Sequence, residues 1–229
     1  MKPSTSEMIM IFDTETTGLV PSWTYNTLLD NLPYITQLSY VLYNEKTRTI
    51  EKTFDHYIKL PEHVEVPEIV TEITGITKQI CDEKGVALEY CLTQFYKDLH
   101  KCGKVIAHNI SFDEKMIYIS FRRHWNDLVD ECPYAFMMFN EKYLKINKKE
   151  KICTMITTID YCKIPRGNNS NSNAYKWPKL SELHDKLFGY VPENLHNSII
   201  DVLVCLRCYL KLNDYVITSR VFSKMISAY

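Results

Sequence analysis

The sequence predicts an α/β fold: a five-stranded mixed sheet, its first three strands an antiparallel meander, flanked by helices. Three observations carry this. Residues 8–12, Met-Ile-Met-Ile-Phe, form a short apolar run that reads as a buried strand. Residues 35–43 and 49–58 are two further strand-like segments separated only by the turn residues Asn44, Glu45 and Lys46, which suits antiparallel neighbours. From residue 85 onward, short apolar strands alternate with amphipathic helical patterns, the pattern of helices laid on a sheet.

In chain order, the first strand runs straight into Asp13-Thr14-Glu15-Thr16-Thr17-Gly18-Leu19. Residues two apart in a strand share a face, roughly 6.6 Å apart along the chain, so Asp13 and Glu15 point one way and Thr14 the other. Such a pair is costly unless a cation neutralises it. The arrangement suits an oxygen-ligated divalent metal at the carboxyl end of a strand, and Thr16, Thr17 and Gly18 supply small positions where a ligand approaches the backbone. Residues 20–31 read as a loop whose Trp23 and Tyr25 could stack on bases or pin the loop to the body.

Residues 68–74 predict a short helix stopped by Gly75, and residues 85–101 an amphipathic helix ended by Gly103. Residues 105–107 are a brief buried strand leading into His108, Asn109 and Asp113, with a helix directly after. Residues 126–150 carry no assignable pattern beyond an apolar cluster at 136–139, read as core. A final strand is expected at 151–155, a helix at 155–162, and a mobile loop over the Asn/Ser-rich stretch 168–173. Residues 179–188 read as a helix with Gly189 past its end. An apolar helix entered through His196 and carrying Asp201 extends to about residue 212, and an amphipathic extension follows over 213–229. No internal repeat or domain boundary is evident, so the chain is read as a single domain, 1–229.

Of 229 residues, 45% are hydrophobic and 24% charged, enough to bury a full core. The amino terminus is too short and polar for a signal peptide, and no apolar run approaches the roughly 18 residues of a membrane span. The expectation is a soluble intracellular protein with no membrane partner. Eight scattered cysteines show no paired zinc spacing and read as buried thiols. A net charge of −1 argues against a protein that coats nucleic acid by bulk electrostatics. Committing four acids to metal would leave the rest of the chain positive, with basic clusters at 122–124, 142–151 and 163–179. Each cluster alone reads as a solvated face.

One sheet with helices packed on it can bring together Asp13, Glu15, Asp113, His196 and Asp201. Singly, Asp113 reads as a helix N-cap and His196 as a surface or cap residue. Asp201 is odd alone, because Ile199, Ile200, Val202 and Leu203 surround it and an unpaired buried acid is expensive. In order, the motifs Asp13-x-Glu15-Thr16-Thr17-Gly18-Leu19, His108-Asn109-x-x-Phe112-Asp113 and His196-x-x-x-x-Asp201 resemble the DEDDh branch of the DnaQ-like 3′–5′ exonucleases, across residues 8–212.

That resemblance implies a ribonuclease-H-like fold and two-metal phosphodiester hydrolysis, with two Mg²⁺ or Mn²⁺ ions held by Asp13, Glu15, Asp113 and Asp201 and Asp13 bridging. His196 would be the general base. In the family, backbone near the threonines meets the terminal 3′ hydroxyl and the residue at Leu19's place wedges against the end bases. Substrate contacts are therefore implied at Thr14, Thr16, Thr17, Gly18 and Leu19. His108 and Asn109 read as residues that brace the loop aiming Asp113, with substrate contact as the alternative. The implied substrate is a single-stranded or frayed DNA 3′ end with little sequence preference, RNA being the alternative. The chain would act alone or as a proofreading partner of a polymerase; a catalytically silent nucleic-acid-binding module is the reading from another class.

Overall fold

The computed structural model describes residues 7–22, 27–166, 175–215 and 217–229. Trp23, Tyr25 and the Asn/Ser-rich stretch lie outside these. The elements are β1 (Met8–Thr16), β2 (Ile35–Asn44), β3 (Thr49–Tyr57), α1 (Glu68–Thr74), α2 (Lys78–Lys84), α3 (Leu88–Leu99), β4 (Lys104–Ala107), α4 (Ile110–Arg123), α5 (Trp125–Leu128) and α6 (Glu141–Ile146). The chain continues with β5 (Glu150–Cys153), α7 (Thr154–Thr157), α8 (Ile159–Cys162), α9 (Leu180–Phe188), α10 (Ser198–Leu212) and α11 (Ser219–Ile226).

The strands form one mixed sheet in the order β3-β2-β1-β4-β5. The pairs β1–β2 and β2–β3 are antiparallel, and β1–β4 and β4–β5 are parallel. The expected meander and the five strands are present. Strand alternation divides the core between the two faces of the sheet. Met10 and Phe12 on β1, with Leu38 and Tyr40 on β2, pack with α3 and α4. Ile9 and Ile11, with Val41 and Tyr43, pack with α9, α10 and α11. The central strand is thus buried on both sides, which explains its unbroken apolar run.

Local chemistry sets several boundaries. Gly75 closes α1 at φ 73°, a left-handed position that costs glycine little, and its N–H reaches the Thr71 carbonyl at 2.8 Å. The helix α2, absent from the sequence reading, starts where the Thr77 side chain accepts from the Ile80 amide. The last strand is shorter than expected: it ends at Cys153 because the buried Thr154 opens α7. The helix expected over 155–162 is two short ones, interrupted at Thr158. Residues 126–150 become α5, a 3₁₀ turn at Ala135–Met137 and α6. Among the described residues, the carboxy-terminal extension is helical over Ser219–Ile226, docked through the buried Phe222. All eight cysteines are free, and all but Cys153 are buried.

Candidate active site

The alternation of β1 continues past the core into its polar end. Asp13 and Glu15 follow Ile9 and Ile11 in pleat, toward α10, whereas Thr14 follows Met10 and Phe12, toward α4. Asp201 lies in the first turn of α10. Oxygens of Asp13, Glu15 and Asp201 all lie within 4.8 Å of one another. Ser198 fixes this approach: its hydroxyl donates to the Asp13 carbonyl at 2.8 Å, and its amide donates to Gln37 Oε1 at 3.3 Å. Gln37 Nε2 in turn donates to Asp55 on β3 at 2.8 Å, so three strands hold the start of α10.

Asp113 arrives from the other face. The β1–β4 ladder ends at the pair Ile11–Ile106. Beyond it, Asp113 Oδ1 accepts from the Thr14 amide at 3.0 Å and the Thr14 hydroxyl at 2.8 Å. Asp113 is therefore not the cap of α4; that position is Asn109, left-handed at φ 67° with no side-chain cap bond. Asp113 stands beside the three-carboxylate cluster and is not one of its mutually close groups.

Burial and mutual repulsion set the electrostatics of this cluster. Burial, opposed by the neighbouring Ser198 side chain, pushes the Asp13 carboxyl up to about 7. Burial and then the charges of Asp13, Asp201 and Asp113 push Glu15 to about 10. Burial and Asp13 also raise Asp113 and Asp201 well above the usual carboxylate range. Asp201 Oδ1 is buried and has no hydrogen-bond partner among the described residues. Crowded carboxylates with an orphaned buried oxygen are what a divalent cation would relieve, and an all-oxygen donor set suits hard ions such as Mg²⁺ or Mn²⁺.

The other sequence-predicted residues fall into distinct places. His196 is exposed, held at φ 69° just ahead of α10, with its amide 3.3 Å from Asp201 Oδ2. His108 is turned inward, with Nδ1 2.9 Å from Thr154 Oγ1 and Nε2 3.0 Å from the Pro178 carbonyl; burial pushes its pKa down to about 4. Asn109 Oδ1 accepts from Ser111 at 3.3 Å. The Thr16 hydroxyl donates to the Gly18 carbonyl at 2.8 Å, and the Thr17 hydroxyl accepts from the Tyr34 amide at 3.0 Å. These bonds shape a loop that leaves Leu19 85% exposed. Thr17, Gly18 and Leu19 line one side of a groove of about 370 Å³, with Asp30, Pro33, Tyr34 and His63 among the facing residues.

Much of the basic character serves the fold itself. Lys151 pairs with Glu114 at 2.8 Å and Lys176 with Glu182 at 2.5 Å. Lys149 donates to the carbonyls of Leu99, His100 and Cys102. Sequence reasoning passed over Ser198, Gln37 and Asp55 because a serine or glutamine on a helix or strand carries no motif; their role exists only once the sheet brings positions 13, 37, 55 and 198 together.

Residues 10–209 match the RNase T exonuclease family model, which covers all four acids and His196. The chain belongs to this exonuclease family. It is a DnaQ-like member of the ribonuclease-H-like superfamily. Members of the family typically use divalent metals, in keeping with the carboxylate cluster. The chain is 44% identical over 69 residues to ERI1 exoribonuclease 2 of Mus musculus, a match covering 30% of this chain and 10% of that protein. The human protein of the same name is 43% identical over 61 residues, 27% of this chain and 9% of that one. The similarity thus spans about a tenth of these curated relatives. The exonuclease fold is shared with E. coli exonuclease I in complex with a dA16 oligonucleotide, at a TM-score of 0.64 and 16% identity, covering 96% of this chain and 43% of that one. A full-length 3′-exonuclease aligns at a TM-score of 0.61 and 18% identity, covering 92% and 62%. Among the described residues no helix is long and apolar enough to cross a membrane.

Proposed function

We propose that this family member is a divalent-metal-dependent 3′–5′ exonuclease that releases nucleoside 5′-monophosphates from single-stranded or frayed 3′ ends. The observation that carries this reading is the convergence of Asp13, Glu15 and Asp201 within 4.8 Å, with Asp113 coupled to them by charge. Asp13, Glu15, Asp113 and Asp201 would hold two ions, Mg²⁺ or Mn²⁺. When bound, such ions supply charge neutralisation at the phosphate, activation of the attacking water and stabilisation of the departing 3′ oxygen.

The chain's own residues supply the rest. After burial, the charge of Asp13 is the next cause that raises Glu15, Asp113 and Asp201 alike, which supports Asp13 as the carboxylate that both ions would share. His196 would take the proton of the attacking water, a role supported by its amide bond to Asp201 at the entry to α10. The exposed Leu19 beside its groove supports a wedge against terminal bases, and an apolar wedge reads no base edge. Thr14 would act through its two bonds to Asp113, and Thr16 and Thr17 through the loop they brace; the neighbouring backbone, with Gly18, would meet the terminal sugar. The inward bonds of His108 and the Asn109–Ser111 contact support bracing of the Asp113 segment over substrate contact.

A second reading concerns the sugar. The sequence alone put DNA first, and the 44% identity to a protein named an exoribonuclease favours RNA. The test is 5′-labelled single-stranded DNA and RNA of one sequence, incubated with Mg²⁺, Mn²⁺ or chelator. A ladder shortening from the 3′ end that disappears with chelator is expected, with RNA the better substrate. An inert wild-type protein sinks the nuclease reading and leaves the silent binding module; faster shortening of DNA sinks the RNA preference alone.

A further inference from the structure

Among the guanidiniums that the hydrolytic scheme leaves unused, one lies behind the groove. Arg123 is the last residue of α4. Its Nη1 donates to the Pro33 carbonyl at 2.9 Å, and its Nη2 donates to the carbonyls of Leu29 and Leu32, both at 2.6 Å. The same guanidinium sits 3.6 Å from the centre of the Tyr34 ring. Three carbonyls of one short turn, plus the aromatic ring that follows, thus converge on one planar cation. An ammonium has three donors but no planar face to lay on the ring; the planar fork and stacking face of arginine serve the three carbonyls and the ring together.

What this turn does is set by its next residue. Tyr34 and Thr17 are bonded twice: the Thr17 amide donates to the Tyr34 carbonyl at 2.8 Å, and the Tyr34 amide donates to the Thr17 hydroxyl at 3.0 Å. The Tyr34 hydroxyl donates to Asp30 at 3.2 Å, closing the turn on itself. Thr17 leads directly into Gly18 and Leu19. The groove between Leu19 and the Asp30–Tyr34 segment therefore has one wall built on Arg123 and the other tied to that wall through Thr17. The 3₁₀ turn Leu29–Asn31 has no side-chain cap of its own, so the guanidinium is its principal anchor. Behind Arg123, His124 Nδ1 lies 2.6 Å from Glu89 on α3, fixing the helix end that carries it.

We propose that Arg123 is a positioning residue for the end-binding groove: it holds the Leu29–Tyr34 turn and, through Tyr34 and Thr17, the Leu19 wedge. It governs affinity for the nucleic-acid end and leaves the hydrolytic step untouched. This rests on the reading of the groove given above.

The test compares wild type with Arg123→Lys, which keeps the charge and loses the fork, in three measurements on the full chain. In hydrogen exchange without substrate, the amides of Thr17 and Tyr34 exchange roughly tenfold faster in the variant. Mn²⁺ titration gives an affinity within about twofold of wild type, since no carboxylate is touched. On a labelled single-stranded oligonucleotide, KM rises roughly tenfold while kcat stays within about twofold. Unchanged exchange at Thr17 and Tyr34 overturns the proposal, as does an unchanged KM with a fallen kcat. A wild-type protein that shortens neither DNA nor RNA removes the nuclease reading and the affinity role with it. The exchange measurement then still decides whether Arg123 holds the loop, so the two failures are distinguishable.

Discussion

Ser198 Oγ donates a hydrogen bond to the backbone carbonyl of Asp13 at 2.8 Å, joining residues 185 apart in sequence and setting the distance between β1 and the α10 turn that carries Asp201. Ser198 is buried and its bond partly so, and Ser198→Ala removes the hydroxyl partner of that carbonyl, at a cost of about 1–3 kcal/mol. It also frees the start of α10. Mn²⁺ affinity measured by calorimetry is expected to fall roughly tenfold, with the far-ultraviolet dichroism unchanged. An unaltered Mn²⁺ affinity would show that the Asp13–Asp201 spacing is fixed by other packing.

The crowded carboxylates make the metal-free protein sensitive to alkali. Folded Asp13 and Glu15 titrate at about 7 and about 10, against ordinary values near 4, so they retain protons that the unfolded chain has released. Unfolding then releases protons, and stability falls as pH rises. His108, pushed down to about 4 by burial, works in the opposite sense below about pH 6.5, so the clear window is pH 6.5 to 8.5. In chelator, the melting temperature should drop across that window, at up to about 1.4 kcal/mol per pH unit for each retained proton. Saturating Mg²⁺ or Mn²⁺ should flatten the slope, because bound carboxylates are already ionised. A metal-free melting temperature that is flat or rising from pH 6.5 to 8.5 contradicts the clustering of these acids.

Removing one charge separates folding from metal binding. Asp201→Asn relieves the repulsion on Glu15 and gives the orphaned position a neutral group. We expect a raised melting temperature in chelator at pH 8, together with loss of most Mn²⁺ affinity and turnover. Asp13→Ala is likewise expected to abolish turnover and keep the fold. A variant of either kind that unfolds without metal would assign the carboxylate a structural role.

His196 differs from the acids in being exposed and outside their cluster. His196→Ala should leave Mn²⁺ affinity within about twofold and lower kcat by on the order of 10² to 10⁴, the usual worth of a positioned proton acceptor. Hydrolysis at the wild-type rate would remove His196 from the proton transfer.

These tests rest on a candidate site that was largely visible in the sequence, for a physical reason. Acids at the end of an apolar strand, or amid Ile199, Ile200, Val202 and Leu203, violate burial rules that ordinary residues obey, so Asp13, Glu15 and Asp201 stand out one by one. The strands were legible because β1 and β2 are buried on both faces. What escaped was held by tertiary contact. Thr154 ends β5 early to meet His108, and Arg123 looked like part of a basic patch until the turn at 29–33 folded over it. Helix α2 was missed because its seven residues bury only Cys81, too little for a periodic apolar face.

Arg207 offers the last prediction, which concerns how the carboxy-terminal helix reaches the site. It is 1% exposed, and no carboxylate is among its hydrogen-bond partners. Nη1 donates to His184 Nε2 at 3.0 Å and to the Tyr190 hydroxyl at 2.5 Å, Nη2 to Ser219 at 3.1 Å, and Nε to the Ile217 carbonyl at 3.3 Å. Phe188 and Phe222 cover it at 3.8 Å and 4.3 Å from their ring centres. His184 Nδ1 donates to the Tyr190 carbonyl at 2.9 Å, so Nε2 is free to accept from Arg207. One cation thus joins α9, α11 and the start of the segment that leads to His196. Arg207→Leu keeps apolar volume but strands these four groups, and should cost on the order of 3 kcal/mol. Limited proteolysis is expected to cut first between residues 213 and 219, ahead of any cut in the sheet. Because the segment from Tyr190 is loosened too, kcat should fall while Mn²⁺ affinity holds. A variant that keeps its melting temperature and its resistance at 213–219 would mean that α11 is held by Phe222 packing alone.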